Sequence, residues 1–201
     1  MHKNADTHYP IHEHLAQRWS PRAFAVRPVT AHDLGSLFEA ARWAASCYNE
    51  QPWRFIVAWQ EQQDEYQKLL SCLVEANQTW AIQAPVLGLG IAKKTFSMNG
   101  KANNFAYHDL GLATAGLMAQ ATALGLHVHS MGGILPQRAA EQYQVPDDFE
   151  VLTGYAIGYR GDPDSLDESL RASELEPRAR RPLTATVFSS GWEQPATFLE
   201  T

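Results

Sequence analysis

The chain of 201 residues carries only two cysteines, Cys47 and Cys72, with no spaced framework between them. That excludes a scaffold stapled by disulfides and fits a reducing, cytoplasmic setting. No apolar run is long enough to span a bilayer. The opening MHKNADTHYPIHEH lacks the apolar stretch of a secretory signal. Positive charge is not in excess, since 16 Lys and Arg face 22 Asp and Glu for a net charge of −6. This argues against non-specific nucleic-acid binding but leaves room for a local basic pocket. Internal repeats and low-complexity tracts are absent. Gly88-Leu89-Gly90 does not continue as G-x-G-x-x-G, so it is no dinucleotide fingerprint.

What is present is an ordinary globular composition, 45% hydrophobic and 19% charged, most simply a single domain over residues 1–201. The chain is organised around residues 42–55, RWAASCYNEQPWRF. A helix leads into this corner. Thr30 is its candidate N-cap, with Asp33 three residues on, and Leu34, Leu37, Phe38, Ala41 and Ala45 recur at helical spacing. Pro52 pushes Gln51 toward extended backbone, and residues 55–59, FIVAW, have strand composition. Between them lie Ser46, Cys47, Asn49 and Gln51. Amide side chains offer a donor beside an acceptor, which suits either a polar helix-to-strand turn or the alternating groups of a flavin pyrimidine edge.

The rest of the chain reads as follows. Residues 1–10 are polar and expected to be loose. His2, His8, His12 and His14 hold no Cys partner, which leaves little for a metal site. Residues 11–18 form a candidate first helix. In RWSPRAF, Arg18 and Arg22 flank Ser20, either as an exposed basic turn or as a phosphate grip, because guanidinium makes forked bonds to phosphate oxygens. Residues 65–76 read as one helix ended by Asn77, and residues 86–92 as a buried central strand. After a loop over 93–103, Asn103 or Asn104 is a candidate cap for a long helix. It reaches about Leu124, is stopped by Gly125, and is rich in Ala and Gly, hence buried on several sides. Residues 127–131 and 151–159 read as strands, with Pro136 opening a short helix between them. His127 and His129 share a face, but no third ligand stands at a metal-site spacing. Residues 162–176 read as an acidic loop. Arg178, Arg180 and Arg181 form a sudden basic cluster, and residues 184–189 alternate like a strand.

The corner string A-x-S-x-x-N-x-Q-P-W-x-F, here Ala44, Ser46, Asn49, Gln51, Pro52, Trp53 and Phe55, resembles the signature of the nitroreductase family of FMN-dependent dimeric oxidoreductases. Arg18-x-Ser20-x-Arg22-x-Phe24, Asn77, the Gly132-Gly133 pair after a strand and the late Arg178-x-Arg180 pair follow the family's order over roughly residues 18–188. Ala45 stands where the family often has Pro, and Cys47 where it often has Ser. Gly132 stands where an acidic residue is common.

The resemblance implies an α+β, three-layer fold: a central, mainly antiparallel sheet flanked by helices, with residues 183–201 extending onto a dimer partner and adding a strand there. It implies an FMN site of Arg18, Trp19, Ser20, Arg22, Ser46, Cys47, Asn49, Gln51, Asn77, Gly132, Gly133, Arg178 and Arg180. Within it, Arg22 is the cation beside the flavin N1 edge, and a backbone N–H at Gly132 faces N5. Cys47 either replaces one hydroxyl contact or places a thiol by the flavin. Phe96, Phe105, Tyr107 and His108 resemble the substrate side. The implied activity is NAD(P)H-driven reduction of a small nitroaromatic, quinone or similar acceptor, the hydride alternating through N5. It requires no metal and no side-chain acid or base. A regulatory flavin-binding role, or different flavin chemistry such as dehalogenation or flavin breakdown, shares the same residues.

Overall fold

The computed structural model describes residues 3–199. Helices α1 (Glu13–Gln17) and α2 (Ala31–Arg42) precede strand β1 (Trp53–Trp59). Then come α3 (Gln63–Leu70), α4 (Glu75–Ala81), β2 (Val86–Lys93), α5 (Ala106–Ala123), β3 (His127–Met131), α6 (Pro136–Tyr143), β4 (Phe149–Gly158) and α7 (Glu168–Leu175). The sheet runs β1-β2-β4-β3, and all three pairings are antiparallel. The chain has the expected α+β architecture.

Two cores lie on opposite faces of the sheet. One joins α3, α4 and α6 to Leu87, Leu89, Ile91, Val151 and Ala156. The other joins α2 and α5 to Trp53, Val86, Ala92, Val128, Tyr155 and Ile157. Strand periodicity sorts β2 cleanly, odd residues to one core and even residues to the other. In β4 the register slips between Gly90↔Thr153 and Ile91↔Val151. That leaves Leu152 as an extra residue and reverses the parity beyond it.

The Gly-x-Gly of β2 has a packing role. A Cβ on Gly90 would stand 2.5 Å from the Tyr155 hydroxyl. The buried Tyr155 ring therefore lies over a glycine track, with its hydroxyl 2.7 Å from Thr114 Oγ1 of α5. On the same side, a Cβ on Gly116 would meet the Ala40 carbonyl at 2.9 Å, which is how α5 comes close to α2. Thr30 Oγ1 accepts from Asp33 N–H, so it caps α2 as expected. Gly125, at φ +71, ends α5.

Several expected elements differ. The first helix is shorter than residues 11–18. Residues 3–10 are tied down rather than loose: Ala5 N–H donates to the Ala16 carbonyl and the Tyr9 hydroxyl to the Phe198 carbonyl. His2 lies outside the described residues. The single helix over 65–76 is two helices, because the intervening backbone has another partner. Leu73 bridges Ile134, the Cys72 carbonyl accepts from Leu135 N–H, and Val74 N–H donates to the Gly133 carbonyl. Asn77 therefore lies inside α4 and ends no helix. Neither Asn103 nor Asn104 is the N-cap of α5. Phe105 is, and Asn103 Oδ1 accepts from Phe105 N–H instead.

The acidic loop over 162–176 contains a 3-10 turn (Pro163–Ser165) and the whole of α7, whose N-cap Asp167 accepts from Leu170 N–H. The expected strand over 184–189 is not formed. Leu183–Ala185 is a 3-10 turn. Beyond it the chain doubles back, with Ser189 N–H donating to the Gln194 carbonyl and Ala196 N–H to the Val187 carbonyl. Its backbone groups find local partners, leaving one isolated bridge, Phe188↔Pro195.

Candidate functional site

Two groups of the expected site residues form, one at each edge of the sheet. The first begins with RWSPR. This segment carries no regular element of its own, yet it is held on both sides. On one side the Glu174 carboxylate of α7, 2% exposed, accepts from the Arg22 N–H at 3.0 Å and from the Ala23 N–H at 3.3 Å. On the other, His129 of β3 donates from Nδ1 to the Pro21 carbonyl at 2.9 Å, a tautomer fixed by the carbonyl being an acceptor only. The chain then joins the end of β4 through Ala25 N–H to the Tyr159 carbonyl and Gly161 N–H to the Ala23 carbonyl. Glu174 was hidden from sequence reading by the assignment of its helix to a loop. The Asp167 cap and the acidic first turn of α7 were the signal that would have revealed it.

Arg18 donates to Ser20 Oγ at 3.3 Å, which brings the proposed phosphate-gripping pair together. Arg178 and Arg180 reach the same place from the far end of the chain. All three line a cavity of about 790 Å³, with Arg181, Tyr9 and Asp6 on its walls. Burial and the neighbouring charges of Arg178 and Arg180 push the Arg18 guanidinium below its ordinary range. Burial, and then Arg180, does the same to Arg178. Among the described residues none of the three arginines forms an ion pair. Concentrated positive charge that forms no ion pair favours an anion. Arg178 also donates to the Lys3 and Ala16 carbonyls, at 2.7 and 2.8 Å, so the N-terminal segment forms one wall of this cavity.

The same edge carries Gly132 and Gly133 directly after β3. Asn77 Nδ2 donates to the Gly133 carbonyl at 2.9 Å. The helix break at 70–75 makes this contact possible by laying residues 72–74 alongside 133–135. A Cβ on Gly133 would stand 2.5 Å from Asn77 Nδ2, whereas one on Gly132 would meet nothing within 4 Å. Gly132 thus leaves an open face beside an amide whose Oδ1 is still free to accept. Trp19 is half-buried against the His127 ring, 5.9 Å between centroids.

The second group is the corner. Tyr48, Asn49 and Gln51 all have positive φ, at 53, 55 and 50. Three left-handed residues without glycine among four are costly, roughly 1 kcal/mol or more each, so the surroundings must hold them. Ser46 Oγ accepts from Gln51 N–H at 3.0 Å. Gln51 Nε2 donates to the Asn49 carbonyl at 3.1 Å. The buried Asp109 of α5 accepts from Cys47 N–H at 3.0 Å and stands 3.1 Å from His108 Nδ1. The Glu50 carboxylate accepts from the Ser97 N–H and hydroxyl, which bridges the corner to the following loop. The Gln51 amide is thus turned into the corner. The exposed Asn49 amide makes no hydrogen bond among the described residues. Cys47 is a free thiol. Asp109 was not singled out from sequence, where it reads as an acidic residue in the first turn of a helix.

The aromatic candidates border this corner. Phe96 packs edge-on against Tyr48, 6.0 Å between centroids. Tyr107 donates to Glu150, and Phe105 and Tyr107 are about half exposed. Beside them an apolar groove of about 380 Å³ runs along α5 to Thr153.

The two groups do not meet within one chain. The corner feeds β1 and the glycine pair follows β3, the outer strands of the sheet. Three strand spacings, roughly 14 Å, separate those edges.

The model of the Nitroreductase family matches residues 15–159, which span both β3 and the corner. The chain belongs to the nitroreductase family. A crystal structure described as "the oxidoreductase containing FMN" is 37% identical and superposes with a TM-score of 0.89, over 94% of this chain and 96% of that one. A nitroreductase family protein from Clostridium difficile 630 is 27% identical with a TM-score of 0.67, over 87% of this chain and 94% of that one. A protein from Parabacteroides distasonis ATCC 8503, described as a putative NADH dehydrogenase/NAD(P)H nitroreductase, is 18% identical with a TM-score of 0.70 over 90% and 97%, a likeness of fold alone. No curated protein matches the chain. No helix among the described residues is long and apolar enough to cross a membrane.

Proposed function

We propose that this nitroreductase-family chain is an FMN-dependent oxidoreductase that uses NAD(P)H to reduce nitroaromatic, quinone or similar small acceptors. The observation carrying this reading is the arginine cluster: Arg18, Arg178 and Arg180 converge on one cavity, and none forms an ion pair among the described residues. This donor set fits a phosphate monoester, and the open face at Gly132 beside Asn77 fits a planar group approaching backbone closely. The 37% identical FMN-containing oxidoreductase supports the same cofactor.

FMN in this site supplies the acceptance and donation of hydride. The chain's own residues do the rest. Arg18, Ser20, Arg178 and Arg180 bind the phosphate. Arg22 offers a fixed cation to the negative charge that a reduced flavin carries. Asn77 and the glycine backbone orient the ring. Ser46 and Asn49 complete the ring site from a second copy of the chain, because within one chain they lie at the opposite sheet edge. Phe105, Tyr107 and His108 line the approach of donor and acceptor in turn.

Because one approach serves both, initial rates should give parallel lines in a double-reciprocal plot of NAD(P)H against acceptor. Intersecting lines with a demonstrable ternary complex would contradict it. A yellow protein that releases FMN on denaturation but consumes no NAD(P)H with any test acceptor would be a binding protein, not this enzyme.

A further inference from the structure

β3 places two histidines on one face of the sheet, directly beneath RWSPR. His129 Nδ1 donates to the Pro21 carbonyl at 2.9 Å. The His127 ring meets Trp19 edge-on, 5.9 Å between centroids, while its Nδ1 is buried without a partner among the described residues. Trp19 and Pro21 of an irregular segment are thus contacted by two side chains two positions apart on a strand. The His129 ring is fixed from behind by Trp80 of α4, 4.6 Å between centroids. The charged groups facing this pair are all cationic: Arg18 and Arg22 from the segment itself and Arg160 beyond β4. Glu174 lies across the segment and spends its carboxylate on the Arg22 and Ala23 N–H groups.

We propose that His129, supported by His127, is a positioning residue that clamps residues 19–21 so that Arg18, Ser20 and Arg22 face the flavin site, and that the clamp holds only while the ring is neutral. The inference rests on the FMN reading above. A neutral ring carries one N–H donor, and the Pro21 carbonyl accepts from it. A second proton would add a buried cation beside the Arg18 and Arg22 guanidinium groups, with no carboxylate among the described residues free to pair with it. Burial already depresses His129 to about 4, in the sense this geometry requires. Acidification should therefore loosen the segment and the flavin together.

The test compares wild type with His129→Asn, whose amide keeps a donor near the Nδ1 position but cannot titrate, and His129→Leu, which has no donor. FMN affinity is measured by quenching of flavin fluorescence between pH 8 and pH 5. FMN's own phosphate loses charge near pH 6, so every variant shares a modest slope. Wild type should weaken about tenfold beyond that shared slope. His129→Asn should bind within about threefold of wild type at pH 8 and show the shared slope alone. His129→Leu should bind weakly at both ends. Equal slopes in wild type and His129→Asn overturn the clamp.

The flavin-free protein gives an independent reading. Amide exchange protection at residues 22–25, corrected for intrinsic rates, should fall between pH 8 and pH 5 in wild type and hold in His129→Asn. Unchanged protection in wild type overturns the clamp even if no flavin binds. Failure of wild type to bind FMN at pH 8 overturns the cofactor reading alone.

Discussion

The glycine pair separates folding from binding at the level of single atoms. A methyl group on Gly133 would stand 2.5 Å from Asn77 Nδ2 and 2.9 Å from Val74 Cγ2, so Gly133→Ala must displace the Asn77 amide. The lost hydrogen bond alone is worth about 1 kcal/mol, and thermal unfolding should show a drop in Tm. Gly132→Ala meets nothing within 4 Å. It should leave Tm within about a degree of wild type while weakening FMN, since the methyl occupies the proposed flavin face. Loss of stability in Gly132→Ala, or unchanged FMN affinity, would remove that face from the site. Asp109 belongs at this scale too. Asp109→Ala strands the Cys47 N–H and frees a corner with three left-handed residues, a loss of about 1–3 kcal/mol in denaturant unfolding. Two of these residues differ in how far sequence could reveal them. Gly132 could be singled out as a candidate because adjacent glycines after a strand are a pattern. Asp109 was not, because its partner Cys47 lies 62 positions away.

Elements show why some boundaries could be read and others not. Thr30 with Asp33 is a local cap, and α2 begins where it predicts. The break between α3 and α4 depends on Ile134 and Leu135, far along the chain, so helical spacing alone ran through it. Helix α7 was lost to composition, although it supplies the carboxylate that anchors RWSPR. Glu174→Ala should leave the buried Ala23 N–H and the half-buried Arg22 N–H unpaired, lowering stability by about 2 kcal/mol and weakening FMN. Its pH behaviour should differ from that of β3. The native fold depresses His129 from 6.5 to about 4. Its neutral form is fully favoured above pH 6.5, and stability is lost as pH falls from 6.5 toward 4, by up to ~3 kcal/mol. Urea unfolding of the flavin-free protein across that window should show the loss in wild type and a smaller one in His129→Asn. Arg178→Ala with Arg180→Ala should abolish most of the FMN-induced rise in Tm, which for a ligand at a hundred times its Kd corresponds to about 2.7 kcal/mol in wild type.

At the scale of the whole molecule, the proposed site residues divide between two edges of the sheet. RWSPR, Asn77, the glycine pair and the late arginines gather at the β3 edge. The corner, with its exposed Asn49, stands at the β1 edge. Sequence order singled out these candidates without distances, and distances are what separate a site within one chain from one between two. A closed two-fold dimer brings unlike edges together twice. The measurement that tests this most directly uses mixed dimers purified through two tags. One chain carries Arg18→Ala with Arg180→Ala, and the other Ser46→Ala with Asn49→Ala. If each flavin is held by both chains, one site of the mixed dimer collects all four defects and the other none. Each parent homodimer should then be nearly empty, while the mixed dimer binds about one FMN per dimer and recovers about half the wild-type activity. A mixed dimer as empty as its parents, with both parents folded and dimeric, would contradict a shared site.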